Sequence, residues 1–313
     1  MATHRTRRGL RRAAWLAAVA VPLAVAGCGA AAASNGGAGQ ILAVGAENEY
    51  ANVISQIGGR YVHVSAIMSN PDTDPHAFEA SPTVASTVSA ARLVVQNGAG
   101  YDNFMGKLES ASPSAGRKVI DVQRVLSLPS STANPHLWYS PTTMPAVAKA
   151  VAASLAEIEP SHAAYFRANE AAFERSLTAW LNAIKRFRSR YAHTPVATTE
   201  PVADYMLQAA GATVVTPYSL QAAVMNGVDP APQSVTLQDG LLAAGKVKVL
   251  IYNQQVTDSL TQRWLKAAKA HRIPVIGMYE TMPTNGYDFQ SWMVAEVTAL
   301  QNAVAHRTST ERL

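Results

Sequence analysis

From Ile41 to the carboxyl end, short β-like runs alternate with helical ones, and this rhythm limits what the chain can become. Ile41–Val44, Val62–Ile67, Leu93–Val95 and Val119–Asp121 read as strands. Tyr50–Ile57, Pro82–Ala91, Tyr101–Ser110 and Thr142–Ile158 read as the helices that follow them. Such alternation predicts an α/β protein with parallel sheets and right-handed crossovers. The rhythm then breaks. Pro160-Ser161 opens a run in which Phe166, Phe173, Leu177, Trp180, Ile184 and Phe187 recur in threes, fours and sevens, until Pro195 stops it. A helix of about 30 residues would be about 45 Å long, which suits a connector between two lobes better than one more crossover. After Pro195 the rhythm restarts, with strands at Val196–Thr199, Thr213–Thr216, Val247–Tyr252 and Pro274–Met278. Helices are expected at Ala203–Ala210, Ser234–Ala244, Ser259–His271 and Tyr287–His306, with residues 217–233 as a loop.

The amino end reads as a targeting segment. Arg5, Arg7, Arg8, Arg11 and Arg12 precede an apolar run from Ala13 to Ala26, within the range of a signal core and short for a membrane span. It closes on Val25-Ala26-Gly27-Cys28, which resembles the bacterial lipobox, so residues 1–28 are expected to be a lipoprotein signal with Cys28 as the lipidated position. Residues 29–40, rich in Ala, Gly, Ser and Asn, are expected to be a flexible tether. Cys28 is the only cysteine, so the folded part can hold neither a disulfide nor a thiolate metal site. The five arginines also explain the basic balance. Of 26 Lys and Arg, 21 remain beyond the leader against 21 Asp and Glu, which leaves no nucleic-acid footprint.

Two short stretches echo each other: Asp74-Pro75-His76-Ala77-Phe78 and Asn134-Pro135-His136-Leu137-Trp138. Each places a histidine after a proline on a strand-to-helix loop, at the carboxyl rim where open α/β sheets bind ligands. His76 and His136 are therefore candidate ligands of one metal ion. The other mature histidines, His63, His162, His193, His271 and His306, read as surface or capping residues.

These motifs carry a resemblance. Together with Ile57-Gly58-Gly59-Arg60-Tyr61-Val62-His63-Val64 and Asn97-Gly98-Ala99-Gly100-Tyr101-Asp102, their order and the lipobox resemble the metal-binding lipoproteins of bacterial ABC importers, the zinc- and manganese-type solute-binding proteins. The resemblance runs from about Ile41 to His306. It implies two α/β lobes, residues 41–159 and 193–313, each with a parallel-type sheet flanked by helices, joined by one long rigid helix at 160–192. It implies one divalent metal between the lobes, with His76 and His136 from the first lobe and Glu200 and Glu280 from the second. It further implies a monomer on the outer face of the cell membrane, working with an ABC permease and its ATPase. The chain departs from the family pattern at Ala80, where proline is expected, and at Asn134 and Ser140, where acidic residues are expected. The latter changes are expected to weaken the hydrogen bonds that orient His136. A His₂Glu₂ set suits Zn²⁺, Mn²⁺ or Fe²⁺; carboxylate richness and the lack of a His-rich loop in Pro113–Ala133 lean the reading to Mn²⁺, with Zn²⁺ close behind.

An enzyme is not expected. The chain has no H-E-x-x-H, G-x-S-x-G or Walker A motif, and four protein ligands would leave no open position for a reacting water. The alternatives are a metallohydrolase, or a surface adhesion lipoprotein with a metal that only stabilises the fold.

Overall fold

The computed structural model describes residues 39–284 and 286–313. The expected signal segment and Cys28 lie outside the described residues. The first half contains strands β1 (Ile41–Glu47), β2 (Val62–Met68), β3 (Leu93–Gln96) and β4 (Lys118–Asp121). Its helices are α1 (Asn48–Gly58), α2 (Pro82–Ala90), α3 (Asn103–Ala111), α4 (Val122–Val125) and α5 (Thr143–Ile158). Then come α6 (Ala163–Ser176) and α7 (Thr178–Tyr191). The second half has β5 (Pro195–Thr198), β6 (Thr213–Val214), β7 (Val249–Asn253) and β8 (Val275–Met278). Its helices are α8 (Asp204–Ala209), α9 (Tyr218–Met225), α10 (Pro232–Ala243), α11 (Ser259–Ala270) and α12 (Phe289–His306).

Each half builds one four-stranded parallel sheet, in the order β2-β1-β3-β4 and β6-β5-β7-β8. The inner strand β7, Val-Leu-Ile-Tyr-Asn, is buried at every residue, as a strand covered on both faces must be. The edge strand β4 exposes Lys118 and Val119. The strand order reverses direction between β1 and β3, and again between β5 and β7. Ligands of open α/β sheets sit at such switch points, outside the carboxyl ends of the strands. Those ends are Glu47 and Gln96 in one sheet, Thr198 and Asn253 in the other.

The connector is helical from Ala163 to Tyr191 but bent at Leu177 instead of running unbroken. Local chemistry explains the bend. The Ser176 hydroxyl donates to the Phe173 carbonyl at 2.6 Å and accepts from the Gln290 side chain of α12 at 2.6 Å. The Leu177 N–H is left shared between the Phe173 and Glu174 carbonyls, 3.3 Å from each. A serine that bonds back to the preceding turn bends a helix in this way.

The segment 217–233, expected to be a loop, contains α9. Leu220 and Val224 lie four apart and both are buried, and Asn226-Gly227 ends the helix with glycine at φ +62°. The signal was an i,i+4 pair too short to stand out among polar neighbours.

One apolar core runs through both halves. It joins Tyr50, Ile54 and Ile57 of α1 to Trp180, Ile184 and Phe187 of α7, and to Phe289, Trp292, Val297 and Leu300 of α12. Trp180 meets Phe289 edge-on at 5.7 Å between ring centroids, and Tyr139 meets Trp292 at the same distance. The last helix of the second half thus packs along the connector and against the first half.

Candidate metal centre

The sequence echo is a local device for presenting a histidine. In the first loop, the Asp74 carboxylate accepts the His76 N–H at 2.8 Å, and Pro75 opens a single 3₁₀ turn over Pro75–Ala77. In the second, the Asn134 side-chain oxygen accepts the His136 N–H at 3.0 Å before a matching turn at Leu137–Tyr139. Asp or Asn two residues ahead turns the backbone through its own side chain, and the intervening proline sets φ. Each ring is thereby aimed off the sheet rim.

Both rings converge on Glu280, just beyond β8. Nε2 of His76 lies 3.2 Å from Glu280 Oε2, and Nε2 of His136 lies 3.1 Å from the same oxygen. The three ligand atoms fall within 4.8 Å of one another, the only such group of three among the described residues. His136 and Glu280 are fully buried, whereas the His76 side chain is 25% exposed. A cleft of about 370 Å³, lined by His76, Asp74, Met225 and Val256 among others, opens beside it. His76 is therefore the side from which an ion would enter.

The tautomer of His136 follows from its neighbour. Asn134 Nδ2 donates to the Pro201 carbonyl at 2.8 Å, which leaves Oδ1 to accept from His136 Nδ1 at 2.8 Å. With the proton on Nδ1, the Nε2 lone pair points at Glu280. Two acceptors 3.1 Å apart repel unless a cation stands between them. At His76 burial pulls the pKa down, but the Glu280 carboxylate outweighs it and holds the pKa above the ordinary value. Burial pulls the His136 pKa down and outweighs Glu280 there. Burial alone would raise the Glu280 pKa, but the two imidazoles hold it well below the usual carboxylate range. Asn134 nonetheless keeps a partner on the His136 ring, because its amide both accepts from Nδ1 and anchors to the Pro201 carbonyl.

The donors around Glu280 are equally definite. Tyr101 donates its hydroxyl to Oε2 at 2.9 Å, and Asn253 Nδ2 donates to Oε1 at 2.6 Å. Gln255 Oε1 accepts the N–H groups of Glu280 and Thr281 at 2.7 and 2.8 Å, while its Nε2 donates to the Thr73 carbonyl at 2.8 Å. That last bond ties the Glu280 turn to the loop that carries His76.

This fold is shared with known proteins. Residues 44–303 match the family described as zinc-uptake complex component A, periplasmic. The chain belongs to this family. It is 25% identical over 195 residues to the manganese-binding lipoprotein MntA of Bacillus subtilis, covering 59% of this chain and 61% of MntA. It is 24% identical over 182 residues to a putative metal-binding protein of Treponema pallidum, covering 51% of this chain and 56% of that protein. The chain thus spans less than two thirds of the length of these curated relatives. Among solved structures, the periplasmic zinc binding protein TroA of Treponema pallidum superposes with a TM-score of 0.71 at 18% identity, over 87% of this chain and all of TroA. The laminin-binding protein Lbp of Streptococcus pyogenes gives 0.68 at 16%, over 85% of this chain and 99% of Lbp. These likenesses establish the two-lobed fold.

Within this family fold, Glu200 lies just beyond β5 but outside the tight group formed by His76, His136 and Glu280. It is 2% exposed, no hydrogen bond of ordinary geometry reaches either carboxylate oxygen, and the neighbouring Asn253 amide offsets the burial only in part. Burial raises its pKa, and the charge on Glu280 raises it further. A buried carboxylate so weakly partnered is costly, and a nearby cation would relieve that cost. The residues present therefore fit a metal ion.

Sequence reasoning missed the acidic surroundings. Glu47, the last residue of β1, and Glu49, in the first turn of α1, are buried with all four carboxylate oxygens unpartnered. Burial pushes Asp102 up to about 6, although it accepts the Asn97 and Gly98 N–H groups. No described lysine or arginine forms an ion pair with any of these groups. Position at a carboxyl strand end was the signal that would have found Glu47, Glu49 and Asn253. His162, by contrast, stacks on Tyr61 at 3.7 Å and takes no part in the site.

Proposed function

We propose that the chain is an extracytoplasmic solute-binding protein that captures one divalent transition metal between its lobes and hands it to an ABC permease driven by its ATPase. The carrying observation is the convergence of His76, His136 and Glu280 within 4.8 Å, beside the buried carboxylate of Glu200. In this reading all four side chains are ligands: two neutral imidazoles and two carboxylates displace water from the ion. The resident ion is cargo and the protein is not an enzyme; a four-coordinate Zn²⁺ held by all four side chains would keep no position for a reacting water. Residues 1–28 are its lipoprotein signal, Cys28 carries the lipid, and residues 29–40 form the tether. The protein works as a monomer, with lobes at 41–159 and 193–313 joined through 160–192.

Calorimetric titration of the mature protein with Zn²⁺ and Mn²⁺ tests the reading. Wild type is expected to bind one ion, and His76→Ala to lose stoichiometric binding while its circular dichroism stays unchanged. Binding by the variant at wild-type affinity refutes the site. Affinity is also expected to fall with pH, beginning above the ordinary imidazole value of about 6.5 because Glu280 raises the His76 pKa, as a proton then competes for the imidazoles.

A second reading, surface adhesion with a structural metal, is favoured by the shared fold with the laminin-binding Lbp. Metal uptake by cells lacking the chain separates the two: unchanged uptake favours adhesion.

A further inference from the structure

The two oxygens of Glu280 are not equivalent. Oε2 faces both imidazoles and the Tyr101 hydroxyl, whereas Oε1 accepts from Asn253 Nδ2 at 2.6 Å. The Asn253 amide cannot be turned the other way, because its Oδ1 accepts the Gln255 N–H at 2.9 Å. Asn253 itself is 2% exposed, and its own N–H donates to Thr199 Oγ1 at 3.0 Å, beside Glu200. It sits at the last position of β7, an inner strand, so it has little freedom to withdraw.

We infer that Asn253 holds Glu280 to a single metal-bound oxygen, and that this restraint determines which ion the site prefers. The inference rests on the metal-capture reading above. A carboxylate can bind an ion through one oxygen or two. With Asn253 fixing the carboxylate so that Oε2, and not Oε1, faces the imidazoles, Glu280 contributes one donor, and the four proposed ligands supply four donors, or five if Glu200 chelates. Four-coordinate N/O sites suit Zn²⁺, whereas Mn²⁺ favours six donors rich in oxygen. Counting carboxylates leans towards Mn²⁺; counting the oxygens that are free to bind leans back towards Zn²⁺.

The test is Asn253→Leu, which keeps the side-chain shape and removes both the donor to Glu280 and the acceptor of the Gln255 N–H. Affinities for Zn²⁺ and Mn²⁺ are measured by chelator competition, and the donors are counted by X-ray absorption and by a crystal structure of the metal-loaded protein. The Zn²⁺-over-Mn²⁺ preference is expected to fall about tenfold, the size of effect usual for residues behind a ligand, and Glu280 is expected to chelate through both oxygens. An unchanged preference, or an equal loss for both ions, overturns the inference. If the variant does not fold, the metal-loaded wild type still decides, since a chelating Glu280 there overturns it. His136→Ala separates this from the underlying reading. Loss of metal in that variant with an unmoved Asn253→Leu preference sinks only the role of Asn253; wild-type binding in His136→Ala sinks the site itself.

Discussion

Asn134 shows how one side chain can serve two loops. Its amide accepts from the His136 ring on one side and donates to the Pro201 carbonyl, next to Glu200, on the other. Tyr205 adds a second bond to the same loop, donating its hydroxyl to the Asn134 carbonyl at 2.9 Å. An aspartate at this position would still accept from the ring but would place a carboxylate oxygen against the Pro201 carbonyl. Asn134→Asp is therefore expected to retain the histidine tautomer yet disturb Glu200, and Asn134→Ala to lose both. Loss of such a partner behind a metal ligand costs about 10–100-fold in affinity. Titration with Zn²⁺ should rank wild type above Asn134→Asp and Asn134→Ala lowest; equal affinities would show that the amide orients nothing.

Among the elements, α12 carries an unusual burden. It buries Phe289, Trp292, Met293, Val297 and Leu300, and in their midst the carboxyl of Glu296. Glu296 Oε1 accepts from Trp292 Nε1 at 3.0 Å, Oε2 has no partner, and burial pushes the pKa up to about 8. The folded state thus keeps a proton that the unfolded chain releases near its ordinary value of 4.5. Between those two values the native state binds more protons, so stability is full below the lower one and declines as pH rises towards the upper. Glu296→Gln supplies the neutral form at every pH. It is expected to leave the melting temperature near wild type at pH 4.5 and to raise stability at pH 8 by on the order of a few kcal/mol. Thermal melts at the two pH values check this, and a variant equally shifted at both would contradict it. The same helix bends the connector, through the bond from Gln290 to Ser176.

At the scale of the molecule, the shared core limits how far the lobes can part. Each large apolar side chain buried between them stabilises the assembly by about 1.5–3 kcal/mol, and polar latches add to this. Asn48 pairs its amide with both the N–H and the carbonyl of Met282, at 2.9 and 2.7 Å, and Gln56 exchanges hydrogen bonds with Gln290. On the proposed capture reading, binding is therefore expected to act by small adjustments of the His76 loop and the Glu280 turn, without wide hinge closure. Small-angle scattering of metal-free and metal-loaded protein should give radii of gyration equal to within about 1 Å. A clearly larger contraction on loading would show that the lobes move as separate bodies.

The eight strands, most helices and both Pro-His loops were legible because their causes act over a few residues: apolar period, proline geometry, and an Asp or Asn two positions before the histidine. The bend at Leu177 and helix α9 escaped because their causes are a partner on α12 and a pair of buried residues in a polar stretch. The candidate metal centre divides along the same line. His76 and His136 announced themselves through local backbone chemistry, and Glu200 and Glu280 came only from family resemblance. Glu47, Glu49 and Asn253 were marked only by lying at a carboxyl strand end, and Gln255 and Asn48 had no local mark at all. What Asn253 does to Glu280, across 27 positions, or Asn48 to Met282, across 234, depends on which strand ends the folded sheets bring face to face. Short-range forces write the strands and the histidine loops into the sequence; burial and long-range hydrogen bonding, which exist only once the lobes are packed, decide how many oxygens a metal ion would meet.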